Sequence, residues 1–188
     1  MNTQGTGRER EDSGLLTGLF SDRESSEGAY KSLRDRGYSE DEINVMMSED
    51  TRKSWYGDDD DYNNEAADSE LGSKAAEGAT TGGAIGGTLG AVVGGALAAG
   101  SNFFVPGLGL LVWGPIAGAL AGLGAGGATG GIVGALVGAG IPEDRAREYE
   151  AGINNGGAVL GVRPRSNEDA DYFENDWSTN YRGQNIYR

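Results

Sequence analysis

The sequence predicts a small domain of the α+β or α/β class, helices on a sheet, cut in two by an inserted glycine-rich helical hairpin. Three observations predict it. Of 188 residues, the 65 from Gly78 to Pro142 contain none of the 29 acidic or 15 basic side chains, so two solvated flanks surround a neutral middle. Each flank alternates short apolar runs with stripes at helical spacing. In the middle, glycines recur every four residues, which places them on one ridge of a helix.

Residues 1–13 are polar and aperiodic, so a disordered lead is expected there, with no apolar stretch of the kind a secretory signal carries. Leu15 to Phe20 reads as a strand. Ser21 with Glu24 three residues on has the pattern of a capping box, and Ala29, Tyr30 and Leu33 give the following helix one apolar side, with Gly37 as its left-handed stop. Ile43 to Met47 is a second strand, so residues 15–47 have the size of a parallel crossover unit. Residues 49–77 read as an acidic linker containing Asp58-Asp59-Asp60-Asp61. Past the neutral run, Pro142 suits a helix first turn, Ala146, Tyr149 and Ile153 form a stripe, and Gly156-Gly157 ends that helix. Ala158 to Val162 is a third strand. Ser166 starts a last helix with Ala170, Phe173 and Trp177 on one side, read as core aromatics over the sheet, and 178–188 is expected to be a flexible tail.

Neither flank buries enough surface to stand alone. Joined, residues 14–48 and 141–177 make strand–helix–strand plus helix–strand–helix, a helices-on-sheet domain. Residues 78–140 are then an insertion whose two ends meet on one side of whatever it enters.

That insertion carries two ridges. Gly78, Gly82, Gly86, Gly90 and Gly94 form the first; Gly114, Gly118, Gly122, Gly126, Gly130, Gly134 and Gly138 form the second. Bare backbone along a ridge lets another helix approach closely, the small-xxx-small logic of membrane helices. In water each such Gly costs about 1 kcal/mol relative to Ala, whereas lipid enforces the helix because an unpaired backbone group there costs several kcal/mol. As helices, 78–100 and 115–140 measure about 34 and about 39 Å, enough to cross a core of about 30 Å. The expectation is a two-span hairpin with a lipid bilayer as its surroundings. Its connection at 101–113 would lie at the far interface, anchored by Phe103, Phe104 and Trp113. A second small-residue ridge (Gly83, Gly87, Ala91, Gly95) beside the first favours a homo-oligomer. Lys74, Arg145 and Arg147 at the base put both termini in the cytoplasm by the positive-inside tendency. A soluble hairpin hidden inside an assembly is the alternative.

The flanks resemble a family of bacterial general stress proteins whose heat-induced stress protein domain is interrupted by a glycine zipper. The resemblance rests on Thr17-Gly18-Leu19-Phe20-Ser21-Asp22-Arg23, on Leu33-Arg34-Asp35-Arg36-Gly37-Tyr38 and on Ile43-Asn44-Val45-Met46-Met47. It continues through Gly140-Ile141-Pro142-Glu143 and Gly156-Gly157-Ala158-Val159-Leu160-Gly161-Val162-Arg163-Pro164-Arg165. It implies a stress-related, non-enzymatic protein with a ferredoxin-like or ACT-like unit. A ferredoxin-like sheet needs a fourth strand after the last helix, and Asn185-Ile186-Tyr187 is a poor candidate for it.

Composition narrows the chemistry. Without Cys or His there is no thiolate, no imidazole base and no usual zinc set, and no cofactor is expected. A net charge of −14 argues against gripping nucleic-acid phosphates. Asp59, Asp61, Asn63 and Glu70 approximate a calcium loop, but Ala66 and the lack of an entering helix favour a solvated linker. Gly122 to Gly127 matches GxGxxG only because glycine is so dense there. Arg163 and Arg165, flanking Pro164 after a strand, are candidates for contact with an anion. The leading expectation is therefore a non-enzymatic stress protein tethered to the cytoplasmic membrane by a self-associating hairpin. The alternative is a soluble, self-assembling or ligand-sensing module.

Overall fold

The computed structural model describes residues 14–57, 102–105, 108–117 and 131–188, with 102–105 described as backbone. Its elements are β1 (Leu16–Phe20), α1 (Arg23–Asp35), a 3-10 turn (Glu40–Glu42), β2 (Ile43–Ser48) and α2 (Glu49–Tyr56). There follow β3 (Asn102–Val105), β4 (Leu110–Trp113), α3 (Gly131–Gly138), α4 (Glu143–Asn154), β5 (Ala158–Val162), α5 (Asn167–Asn180) and β6 (Gln184–Tyr187).

The strands form one six-stranded sheet in the order β3-β4-β2-β5-β1-β6, every pair antiparallel. The two flanks interleave: β5 lies between β1 and β2, with Val162 opposite both Leu16 and Ile43 and Ala158 opposite both Phe20 and Met47. β1 and β2 therefore run parallel to each other, but a strand from the other end of the chain separates them. The crossover over α1 therefore spans two strand widths.

Local chemistry sets the helix ends. Asp22, one residue later than expected, caps α1 by accepting from the Ser25 N–H at 2.9 Å. Gly37 holds φ +87, the left-handed turn a side chain would resist. Ser166 caps α5 through the Asp169 N–H. Pro142 occupies the cap of α4 and leaves Glu143 to open the helix.

The sheet is covered on both faces, so its inner strands show no polar alternation. On one face α1 and α5 bring Ala29, Tyr30, Leu33, Phe173 and Trp177 onto Leu16, Phe20, Val45, Leu160 and Val162. On the other, α3 and α4 bring Leu136, Ala146, Tyr149 and Ile153 onto Leu19, Met46, Val112 and Val159. Trp177 is fully buried and meets Phe20 edge-on at 5.5 Å.

Three expectations need correction. Residues 178–188 are no loose tail: they finish α5 and add β6, which pairs with β1 across an irregular register between Thr17 and Leu19. The acidic segment begins with α2, because Ser48 caps it through the Thr51 N–H and Thr51 turns inward. Most consequentially, the segment placed at a far membrane interface holds β3 and β4, which extend the sheet beyond β2, with Val45 opposite Trp113 and Ser48 opposite Leu110. Trp113 is a core residue, 3% exposed. An apolar segment satisfies its backbone in a sheet as well as in a membrane helix, and here a strand with a free edge stood next to it.

Candidate functional site

Three constructions on this frame concern function. The first is a polar seam joining the flanks where α1 ends and α5 begins. Gly37 turns the chain so that Tyr38 is buried beneath the loop after β5. The Tyr38 hydroxyl donates to Asp169 Oδ2 at 2.8 Å and accepts the Arg165 backbone N–H at 2.8 Å. Arg36 Nε donates to Asp169 Oδ1 at 2.6 Å and its guanidinium covers the Tyr172 ring. Arg165 stacks 4.3 Å over the Tyr38 ring, donates to Glu42 Oε2 at 2.8 Å and reaches the Gly37 carbonyl at 3.0 Å.

The electrostatics follow. Burial, aided by Asp169, pushes the Tyr38 phenol up to about 12. The Arg165 hydrogen bond, then those from the Ser39 N–H and hydroxyl, pull Glu42 down to about 2. Burial alone would raise Asp169, but hydrogen bonds from Arg36 and Tyr38 outweigh it and hold the carboxyl below its usual range. The result is a closed network of matched charges. Arg165 is thus engaged by Glu42, Tyr38 and the Gly37 carbonyl while its side chain stays half exposed, and Arg163 beside it is exposed.

The second construction pins the insertion. Asn44 on β2 is 2% exposed. Its Nδ2 donates to the Gly161 carbonyl of β5 at 3.1 Å, and its Oδ1 accepts the Ile116 N–H at 2.7 Å. Only one amide orientation serves both partners. The chain leaving β4 can reach Asn44 because Gly114 takes φ +91 and lies against the Ile43 carbonyl, where a Cβ would collide.

The third is a cleft of about 500 Å³ at the root of the insertion, between the start of α2, the turn before β4 and the end of α4. Ser48, Glu49, Asp50, Trp55, Leu108 and Asn154 are among its lining. Glu49 pairs with Lys53 at 3.0 Å, while Asp50 makes no ion pair among the described residues. A mouth of hydroxyls, one uncompensated carboxylate and an indole suits a small polar or cationic molecule.

Of the glycine ridges, Gly134 and Gly138 lie in α3, an eight-residue helix whose Ile132, Ala135 and Leu136 face the core. Gly114 is not helical, and Gly131 enters α3 at φ +65, so the second ridge is not one continuous helix. Phe103 and Phe104 sit in β3, opposite Val112 and Leu111. Gly78, Gly82, Gly86, Gly90, Gly94, Gly118, Gly122, Gly126 and Gly130 lie outside the described residues, as do the calcium candidates Asp59, Asp61, Asn63 and Glu70. Among the described residues no helix is long and apolar enough to cross a membrane, and no trio of carboxylates gathers as a metal set.

The seam and the Asn44 staple escaped sequence reasoning because both join residues far apart in the chain, the staple across 72 and 117 positions. One signal was available for the β-hairpin: Pro106-Gly107-Leu108-Gly109 is turn chemistry between two short apolar runs. Comparison with family models, with curated proteins and with solved structures found no match.

Proposed function

We propose that this chain is a non-enzymatic stress-response protein in which a split ferredoxin-like domain carries a neutral, glycine-rich insertion that self-associates at the cytoplasmic membrane, both termini facing the cytoplasm. Four of its strands, ordered β6-β1-β5-β2 with α1 and α5 on one face, support the ferredoxin-like or ACT-like assignment. The stress-protein resemblance gains support from the seam, where two of its motifs, Arg36-Gly37-Tyr38 and Arg163-Pro164-Arg165, come together.

The observation that carries the membrane part is the uncharged run from Gly78 to Pro142 in a chain of net charge −14. The hairpin β3–β4 changes how that run meets lipid. Segment 58–101 starts and finishes on the same folded body, and so does 118–130. The connection proposed for a far interface lies in the sheet, so the proposed lipid contact is made by segments whose ends are held on the folded body. Carbonate extraction and liposome flotation of the full chain test it. Flotation that survives high salt supports the proposal; recovery in the carbonate-soluble fraction with no flotation refutes it.

The cleft favours a second reading, a soluble ligand-sensing module. Under it, a thermal-shift screen with small amines and polar metabolites raises Tm by mass action, and Asp50→Asn removes the shift.

A further inference from the structure

We infer that the β3 edge of the sheet is a contact between two copies of this chain, made by antiparallel pairing of Asn102–Val105 with the same segment of a second molecule. The inference deepens the self-association part of the proposed function. It places the contact on a sheet edge and not on the glycine ridges, so the two can fail separately.

The two edges of the sheet are built differently. At β6 the register with β1 is irregular, Arg182 and Asn185 hold φ of 51 and 48, and the strand is hemmed by charge. There Arg145 covers the Tyr187 ring, the Tyr187 hydroxyl donates to Glu148, and Arg188 reaches Asp171. Kinks and charges of this kind are how proteins keep an edge from pairing with strangers. Within Asn102–Val105 the backbone shows no positive φ and the sequence carries no charged residue. The pairing of β3 with β4 is regular over all four residues, no proline interrupts Asn102-Phe103-Phe104-Val105, and among the described residues no strand lies beyond it.

Charge says what the partner is. Copies of a chain with net charge −14 repel one another over most of their surface, but the 65-residue neutral run contains both β3 and β4. A twofold strand pair makes a further demand. Hydrogen-bonded and non-hydrogen-bonded positions alternate along an antiparallel ladder, so the symmetry axis must pass a residue that faces its own copy. Here that residue is Phe103 or Phe104. A charge at the centre would meet its like; β3 has no charged residue to place there. The joined sheet would run unbroken through both molecules, with the guarded β6 edges outermost.

Sedimentation equilibrium of the full chain, from low micromolar to near-millimolar in buffer with and without mild detergent, measures the association. It is expected to be a reversible dimer. Hydrogen exchange on the unmodified chain locates the contact without a variant: amides within 102–105 should gain protection as concentration rises. Phe103→Lys/Phe104→Lys should weaken the dimer about tenfold or more while far-UV circular dichroism is retained. A ridge variant, Gly82→Leu/Gly86→Leu/Gly90→Leu, should leave this dimer intact. A chain that stays monomeric throughout overturns the inference. So does a dimer whose 102–105 exchange is independent of concentration, or one lost in the ridge variant and kept in the lysine variant.

Discussion

Replacing Asn44 by Ala should detach the insertion's hairpin from the sheet at a calculable cost. The amide satisfies two groups, the Gly161 carbonyl at 3.1 Å and the Ile116 N–H at 2.7 Å, and both bonds are buried. Orphaning a buried donor or acceptor costs about 1–3 kcal/mol. The Ile116 N–H loses the partner it has here, whereas the Gly161 carbonyl keeps a second lone pair for the strand ladder. The sum should fall at about 2–4 kcal/mol, a large share of the stability of an ordinary domain. Urea unfolding of Asn44→Ala measures it, and hydrogen exchange locates it. Amides of 110–117 should lose protection before those of β1 and β5. Asn44→Asp sharpens the test, since a carboxylate still accepts from Ile116 but sets a charge against the Gly161 carbonyl. That variant should be the worse of the two at neutral pH and recover in mild acid, when a protonated carboxyl can donate to Gly161. A loss under about 0.5 kcal/mol for Asn44→Ala, with exchange at Ile116 unchanged, would refute the reasoning.

Two further outcomes are expected. The Tyr149 hydroxyl lies 2.6 Å from Thr17 Oγ1 and donates to the Asn185 carbonyl at 2.8 Å, so Tyr149→Phe should cost about 1–2 kcal/mol in chemical denaturation and free the β6 amides first. Glu42 has its carboxyl pulled down to about 2 by Arg165, so its contribution is complete above its unfolded value near pH 4.5 and disappears as pH falls toward 2. Both partners are substantially exposed, which keeps that contribution below about 1 kcal/mol. Glu42→Gln should lower the neutral Tm by the equivalent of that amount, leave the Tm near pH 2 little changed, and so flatten the acid limb of the Tm–pH curve.

What could be read in advance followed from burial on one side. α1, α4 and α5 each show a stripe against the sheet, Ala29-Tyr30-Leu33, Ala146-Tyr149-Ile153 and Ala170-Phe173-Trp177, and all nine side chains are buried. β1, β2 and β5 read as apolar runs between turn signals for the same reason. β4 is buried on both faces, so Leu110-Leu111-Val112-Trp113 has no alternation to mark it as a strand inside a run already rich in glycine and alanine. β6 fails in the opposite sense: it is polar, half exposed and kinked at Asn185, and only pairing with β1 makes it a strand. α2 buries Thr51 alone, too little for a stripe. The seam was out of reach because no local pattern says that Tyr38 will lie under Arg165; that meeting exists only once β5 has come between β1 and β2.

The interleaving of β5 also sets a timetable at the ribosome. β1 joins the rest of the sheet through β5, so the earliest of the described strands waits for one near the other end of the chain before it can be paired into the sheet. At about 5–20 residues per second that wait lasts several seconds to half a minute, during which the greasy middle has already emerged while the nascent domain around it is incomplete. Any escort that meets this polypeptide therefore meets the neutral run first and the finished fold second.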